Sequence, residues 1–169
     1  MFYKPKGVTS TLKDPHARWT ISDFLPKGVR RIFHVGRLDK ESEGLMILTN
    51  DGELANIISH PRFGIKKTYI VEVEGKDLGK RLLSRVKRGV RLKDGPFMPQ
   101  DAVLIKDGVI RFSLVEGRKR EIRRAMRAIG YRVKRLVRIA IGPLRLPKGM
   151  KPGELRPIKE KEINALKKK

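Results

Sequence analysis

Residues 68–74, Thr-Tyr-Ile-Val-Glu-Val-Glu, alternate polar and apolar positions and are rich in β-branched side chains. That period of two predicts a half-buried strand, which Gly75 ends. Residues 45–48, Leu-Met-Ile-Leu, form an uninterrupted apolar run suited to a buried strand. Thr49-Asn50-Asp51-Gly52 closes it, and Asn50 or Asp51 is placed to cap a helix over 53–59 that His60-Pro61 ends. Leu78, Leu82, Leu83 and Val86 share one face of a predicted helix over 77–88 with a cationic outer side. Short strands follow at 90–92, 102–105 and 109–115, the last two joined at Lys106-Asp107-Gly108, a hairpin signal. A helix opening at 117 turns Ile122, Met126 and Ile129 inward and stops at Gly130; a strand over 133–141 and a terminal helix over 160–166 complete the series. Towards the N-terminus, Lys4-Pro5-Lys6-Gly7 makes a turn that runs into extended chain. A short helix over 20–25 ends at Pro26, and a short strand is predicted over 29–35. Strands outnumber helices and hairpins outnumber βαβ units, so the pattern predicts an α+β fold with a mixed, mainly antiparallel sheet. No Gly-x-x-x-x-Gly-Lys-Ser/Thr loop and no Gly-x-Gly-x-x-Gly fingerprint is present.

Charge narrows the partner. The 169 residues contain 41 Lys and Arg against 18 Asp and Glu, a net charge of +23. A length of that order suits one domain, expected here as residues 1–169 in two lobes around a cleft. Such an excess of cations calls for a polyanion. No stretch approaches the ~20 apolar residues of a membrane span, and the cations are spread through the folded-looking sequence. Nucleic acid on a basic groove is therefore preferred to a membrane. Cysteine is absent, and His16, His34 and His60 lack metal-site spacing, so no metal site is expected. The first residues do not read as a signal peptide, so a cytoplasmic protein is expected, and a monomer.

The candidate chemistry centres on Gly36-Arg37-Leu38-Asp39, a loop presenting one carboxylate. Asp39 suits a nucleophile, a base or a metal ligand, and equally an ion pair that shapes the loop. Glu41, Glu43 and Asp51 lie nearby, but paired-metal sites draw carboxylates from separate elements. Tyr69, at the start of the 68–74 strand beside Lys67, suits the core or, next to a basic groove, stacking on a base. Lys4 and Lys6 suit phosphates, or a solvated basic terminus. Arg118, Lys119, Arg120, Arg123 and Arg124 cluster at a helix start, where backbone N–H groups favour anions. Arg123, beside the inward Ile122, is placed to pair with a buried carboxylate and hold it ionised.

Gly36-Arg37-Leu38-Asp39-x-x-Ser42-x-Gly44-Leu45-x-x-Leu48-Thr49-Asn50-Asp51-Gly52 resembles the catalytic signature of RsuA/RluB-type bacterial ribosomal RNA pseudouridine synthases. The resemblance extends through Lys4-Pro5-x-Gly7, Lys67-x-Tyr69, Glu116-Gly117-Arg118-x-Arg120-Glu121-Ile122-Arg123-Arg124, Leu136-x-Arg138, Gly142-Pro143-Leu144 and Gly153-Glu154-x-Arg156, nearly the whole chain in order. It implies the pseudouridine synthase fold, a mainly antiparallel sheet with helices and loops around a central cleft. It also implies isomerisation of uridine in ribosomal RNA without cofactor or metal. Asp39 matches the nucleophile, Tyr69 the aromatic stacked on the target base, Arg123 the partner of the aspartate, and Arg37 a residue that helps fill the space of the flipped base. The RNA-binding residues expected are then Lys4, Lys6, Arg37, Lys67, Arg118, Lys119, Arg120 and Arg124. Many relatives carry a basic RNA-binding domain of the S4 type before the Lys-Pro-x-Gly segment; none is expected in this chain. Arg120-Glu121, where part of the family has His-Gln, leans towards the large-subunit branch. A non-catalytic, basic RNA-binding or ribosome-associated protein is the alternative from another class.

Overall fold

From the N-terminus the computed structural model, which describes residues 1–29 and 31–168, builds β1 (Phe2–Lys4), β2 (Phe33–Val35), β3 (Glu43–Thr49) and α1 (Gly52–Ser59). Next come β4 (Lys67–Glu74), α2 (Lys80–Lys87), β5 (Val90–Leu92), β6 (Gly95–Phe97), β7 (Asp101–Lys106) and β8 (Val109–Leu114). The series ends with α3 (Glu121–Ala128), β9 (Arg132–Ile141), β10 (Leu144–Arg145) and α4 (Glu160–Lys167). The fold is α+β, and the pairings of β1, β2, β5–β8 and β10 are antiparallel. Two units are distinct: Met1–Ile65 with Arg138–Lys169, and Lys66–Val137.

In the first unit the strand order is β1-β3-β9. Leu45, Met46 and Ile47 of β3 are fully buried, which explains their apolar run. β1 pairs with the first half of β3, Tyr3 opposite Leu45, and β2 with the second half, Val35 opposite Ile47. Gly44 has φ +115°, and a Cβ there would lie 2.3 Å from the Arg138 carbonyl oxygen. Only glycine allows β3 to approach that backbone. Asp51 caps α1, accepting the Leu54 N–H at 3.0 Å, and this bond holds its carboxyl below the usual range. Leu54 and Ile58 of α1 join Met1, Val35, Leu45, Ile47, Ile141, Leu144 and Leu166 in one core. The short helix expected at 20–25 is a single 3₁₀ turn, Ile21–Phe24. Of the strand expected over 29–35, Phe33–Val35 is formed, and Arg30 lies outside the described residues.

In the second unit the order is β9-β4-β8-β7. Tyr69, Val71 and Val73 alternate into the core, with Tyr69 opposite Phe112 and Val71 opposite Ile110 on β8. Leu82 and Val86 of α2 and Ile122, Ala125 and Met126 of α3 are buried. Both helices start later than their sequence patterns suggest. Asp77 and Arg120 adopt left-handed φ values of 55° and 50°, which a continuing helix does not admit. Residues 117–119 are therefore loop, and Arg118, Lys119 and Arg120 precede the first helical turn.

Candidate active site

In the first unit, Asp39 sits half-buried on the loop between β2 and β3, with Arg37 exposed and Leu38 buried. Gly36 enters the loop with φ +70°. The loop backbone is held from several directions. Ser10 Oγ donates to Leu38 O at 2.6 Å and accepts the Leu38 N–H at 3.1 Å. The Gly7 N–H donates to Lys40 O at 2.7 Å, and the Ser42 N–H to Asp39 O at 2.9 Å. Lys4 Nζ donates to Ser42 O and Pro5 O, both at 2.8 Å. Arg138 Nε donates to Leu45 O at 2.7 Å, and Nη1 reaches Arg37 O at 3.5 Å. Carbonyls turned inward by an irregular loop need such donors. With them, the Asp39 carboxylate stands on a preorganised backbone.

Lys4 is thus not a surface cation. Its side chain is 0% exposed, and the expected phosphate contact gives way to an internal one. Burial pushes its ammonium down from 10.5 to about 8, while the carboxylates of Asp39, Glu43 and Glu41 oppose the shift. Arg138 and Ser10 had no assigned role in the sequence reading. The signal for Arg138 was a guanidinium inside the apolar run Leu136-Val137-Arg138-Ile139-Ala140. A charge there must find polar partners.

The second unit holds the other two expected catalytic residues. Tyr69 is 6% exposed on β4, its ring 6.5 Å from that of Phe112. Arg123 is half-buried on α3, and its Nη1 donates to Val133 O at 3.3 Å. Lys67 Nζ donates to Val115 O at 3.0 Å. The structure thus puts Asp39 in one unit and Tyr69 and Arg123 in the other.

The Arg118–Arg124 cluster divides by task. Arg118 donates to Asp94 O at 2.5 Å, Pro96 O at 2.8 Å and Glu121 Oε1 at 2.5 Å. Arg124 spans both Asp94 carboxylate oxygens at 2.7 Å and donates to Lys119 O at 3.0 Å. That fork holds the Asp94 carboxyl down at about 2. Their donors fasten the β5–β6 turn to the start of α3, while both side chains stay partly exposed. Lys6, Arg37, Lys119 and Arg120 remain as exposed cations. Among the described residues no three His, Cys, Asp or Glu side chains converge to hold a metal, and no helix is long and apolar enough to cross a membrane.

The pattern of the RNA pseudouridylate synthase family matches residues 1–128. The chain belongs to that family. The carboxylate loop and Tyr69 both fall within the matched stretch. An uncharacterized RNA pseudouridine synthase of Aquifex aeolicus is 42% identical over 94% of this chain and 65% of its own length. Ribosomal large subunit pseudouridine synthase B of Bacillus subtilis is 38% identical over 98% of this chain and 70% of its own length. A crystal structure of a pseudouridylate synthase superposes with a TM-score of 0.88 at 27% identity, covering 98% of this chain and 71% of that one. The chain spans about two thirds of the length of the curated relatives it matches.

Proposed function

We propose that this chain isomerises uridine to pseudouridine in ribosomal RNA, with large-subunit RNA as the substrate. The observation that carries the reading is Asp39, on a loop whose backbone is pinned by Lys4, Gly7, Ser10 and Arg138, within a chain of the RNA pseudouridylate synthase family. The B. subtilis relative, named for the large ribosomal subunit, supports the substrate.

In this reading Asp39 is the nucleophile, attacking the ribose C1′ or the uracil C6 of a base taken out of its stack. The C1′–N1 bond breaks, the ring turns, C5 bonds to C1′, and the bond to Asp39 breaks so that its carboxylate is regenerated. C5 then loses its proton and N1 gains one, so the composition of the nucleotide is unchanged. Tyr69 stacks on the ring or takes the C5 proton. Arg123 pairs with Asp39 and favours its ionised form. Lys6, Arg37, Lys67, Arg118, Lys119, Arg120 and Arg124 meet the RNA, and the net charge of +23 offsets the cost of extruding the base through phosphate contacts. The chain works without metal or cofactor, as a monomer in the cytoplasm.

The test is to incubate unmodified ribosomal RNA transcripts with the protein in excess EDTA, digest them to nucleosides and separate them. A pseudouridine peak that grows with time, at the expense of uridine, is the expected result. RNA that binds but gains no pseudouridine, from the large or the small subunit, overturns the reading.

A further inference from the structure

We propose that Trp19 is a stacking platform for an unpaired RNA base, on a cationic loop tied to the loop that carries Asp39. The indole is 49% exposed, and it takes part in none of the ring–ring or cation–π contacts found among the described residues. A lone exposed apolar side chain is unremarkable by itself. Three further features set this one apart.

The loop under it is ordered. Its base is pinched by the Thr9 N–H donating to Trp19 O at 2.9 Å and the Ile21 N–H to Thr11 O at 3.0 Å, and Thr9 pairs with Thr20. Within it, Asp14 Oδ1 accepts the His16 N–H at 2.9 Å and Ser22 Oγ donates to Leu12 O at 2.8 Å. The indole is therefore presented on backbone fixed at both ends, and little order remains to be imposed on binding. The loop is also cationic. Lys13, His16 and Arg18 are exposed, and Asp14 is the one acid between Thr11 and Trp19. Finally, the pinched base is continuous with the candidate site. Ser10, between the bridging Thr9 and the loop, takes both the N–H and the C=O of Leu38, the neighbour of Asp39.

An aromatic face amid cations suits single-stranded nucleic acid, where bases stack on the ring and phosphates meet Lys and Arg. A duplex offers no free base face. The occupant is therefore an unpaired nucleotide of the RNA that Asp39 acts on. This inference rests on the reading of the chain as an RNA-modifying enzyme, but Trp19 takes no part in the chemical step.

Trp19 is the only tryptophan of the chain, so its emission reports this site alone. Emission is followed during titration with unmodified ribosomal RNA transcripts, beside pseudouridine formation on the same RNA. Saturable quenching is expected. Trp19→Ala and Trp19→Leu should weaken RNA binding roughly 5- to 100-fold, as loss of one base stack does, with an unchanged thermal midpoint and kcat at saturating RNA close to wild type. Trp19→Phe should retain most of the affinity. Unchanged emission at saturating RNA, or wild-type affinity in Trp19→Ala and Trp19→Leu, overturns the inference. Quenching and weakened Trp19→Ala binding without any pseudouridine would uphold the stack and overturn the catalytic reading instead.

Discussion

The Asp39 loop and the β5–β6 turn are both fastened by cations, but at different depths. Around Asp39, Lys4 and Arg138 are buried, at 0% and 3% exposure, and they donate to backbone carbonyls. At the β5–β6 turn, Arg118 and Arg124 are partly exposed, and besides the carbonyls of Asp94, Pro96 and Lys119 they meet carboxylates, Asp94 and Glu121. A buried cation on carbonyls is costly to desolvate and leaves orphaned acceptors when removed. The exposed Arg124–Asp94 pair is screened by water and salt and contributes little. The rigid fastening lies where a carboxylate needs an accurate position, and the weaker one where a turn has only to be held. In a chain of +23 a cation is therefore not evidence of a nucleic-acid contact until its partners are known.

The largest effect on folding should come from Arg138→Ala, which empties a buried volume and removes the donor to Leu45 O. A loss of about 3 kcal/mol or more is expected in urea titration, and a loss below 1 kcal/mol would break the contrast between the two regions. Lys4→Met keeps the stem but removes the donors, and should cost about 1–3 kcal/mol through the Ser42 and Pro5 carbonyls. Lys4 also predicts a pH dependence. The unfolded chain holds its proton up to about 10.5, whereas the folded chain releases it near 8. Between those values the unfolded state binds more protons, so the Lys4 contribution to stability rises with pH. Wild type should therefore show a more positive slope of unfolding free energy over pH 8 to 10.5 than Lys4→Met; equal slopes would remove the buried ammonium from the account. The smallest effect belongs to Asp94→Asn, a loss smaller than that of Lys4→Met and shrinking with added salt. A larger, salt-insensitive loss would make the turn as rigidly fastened as the Asp39 loop.

Local physics explains which features could be read from the sequence. The β3 run, the alternation of β4, the Asp-Gly hairpin of β7 and β8 and the Asp51 cap all depend on neighbours within a few residues. β1, β6 and β10 escaped because strands of two or three residues are defined by their pairing partners, not by a period of their own. The same reason hid the tasks of Lys4 and Arg118. Their acceptors lie 38 and 24 residues away, and a lysine in Lys-Pro-x-Gly reads as a phosphate ligand until Ser42 is seen to take it. Asp39 stood out through its long motif, while its local spacing favoured an ion pair over a nucleophile.

The most direct test of the central claim is tritium release from ribosomal RNA labelled at uridine C5, comparing wild type with Asp39→Asn. The substitution keeps the shape of the side chain and the pinned backbone but removes the nucleophilic charge. Wild type should release tritium, and Asp39→Asn should release at least about 1,000-fold less while its RNA affinity and thermal midpoint stay near wild type. Comparable release by the two proteins would contradict the assignment of Asp39 as the nucleophile.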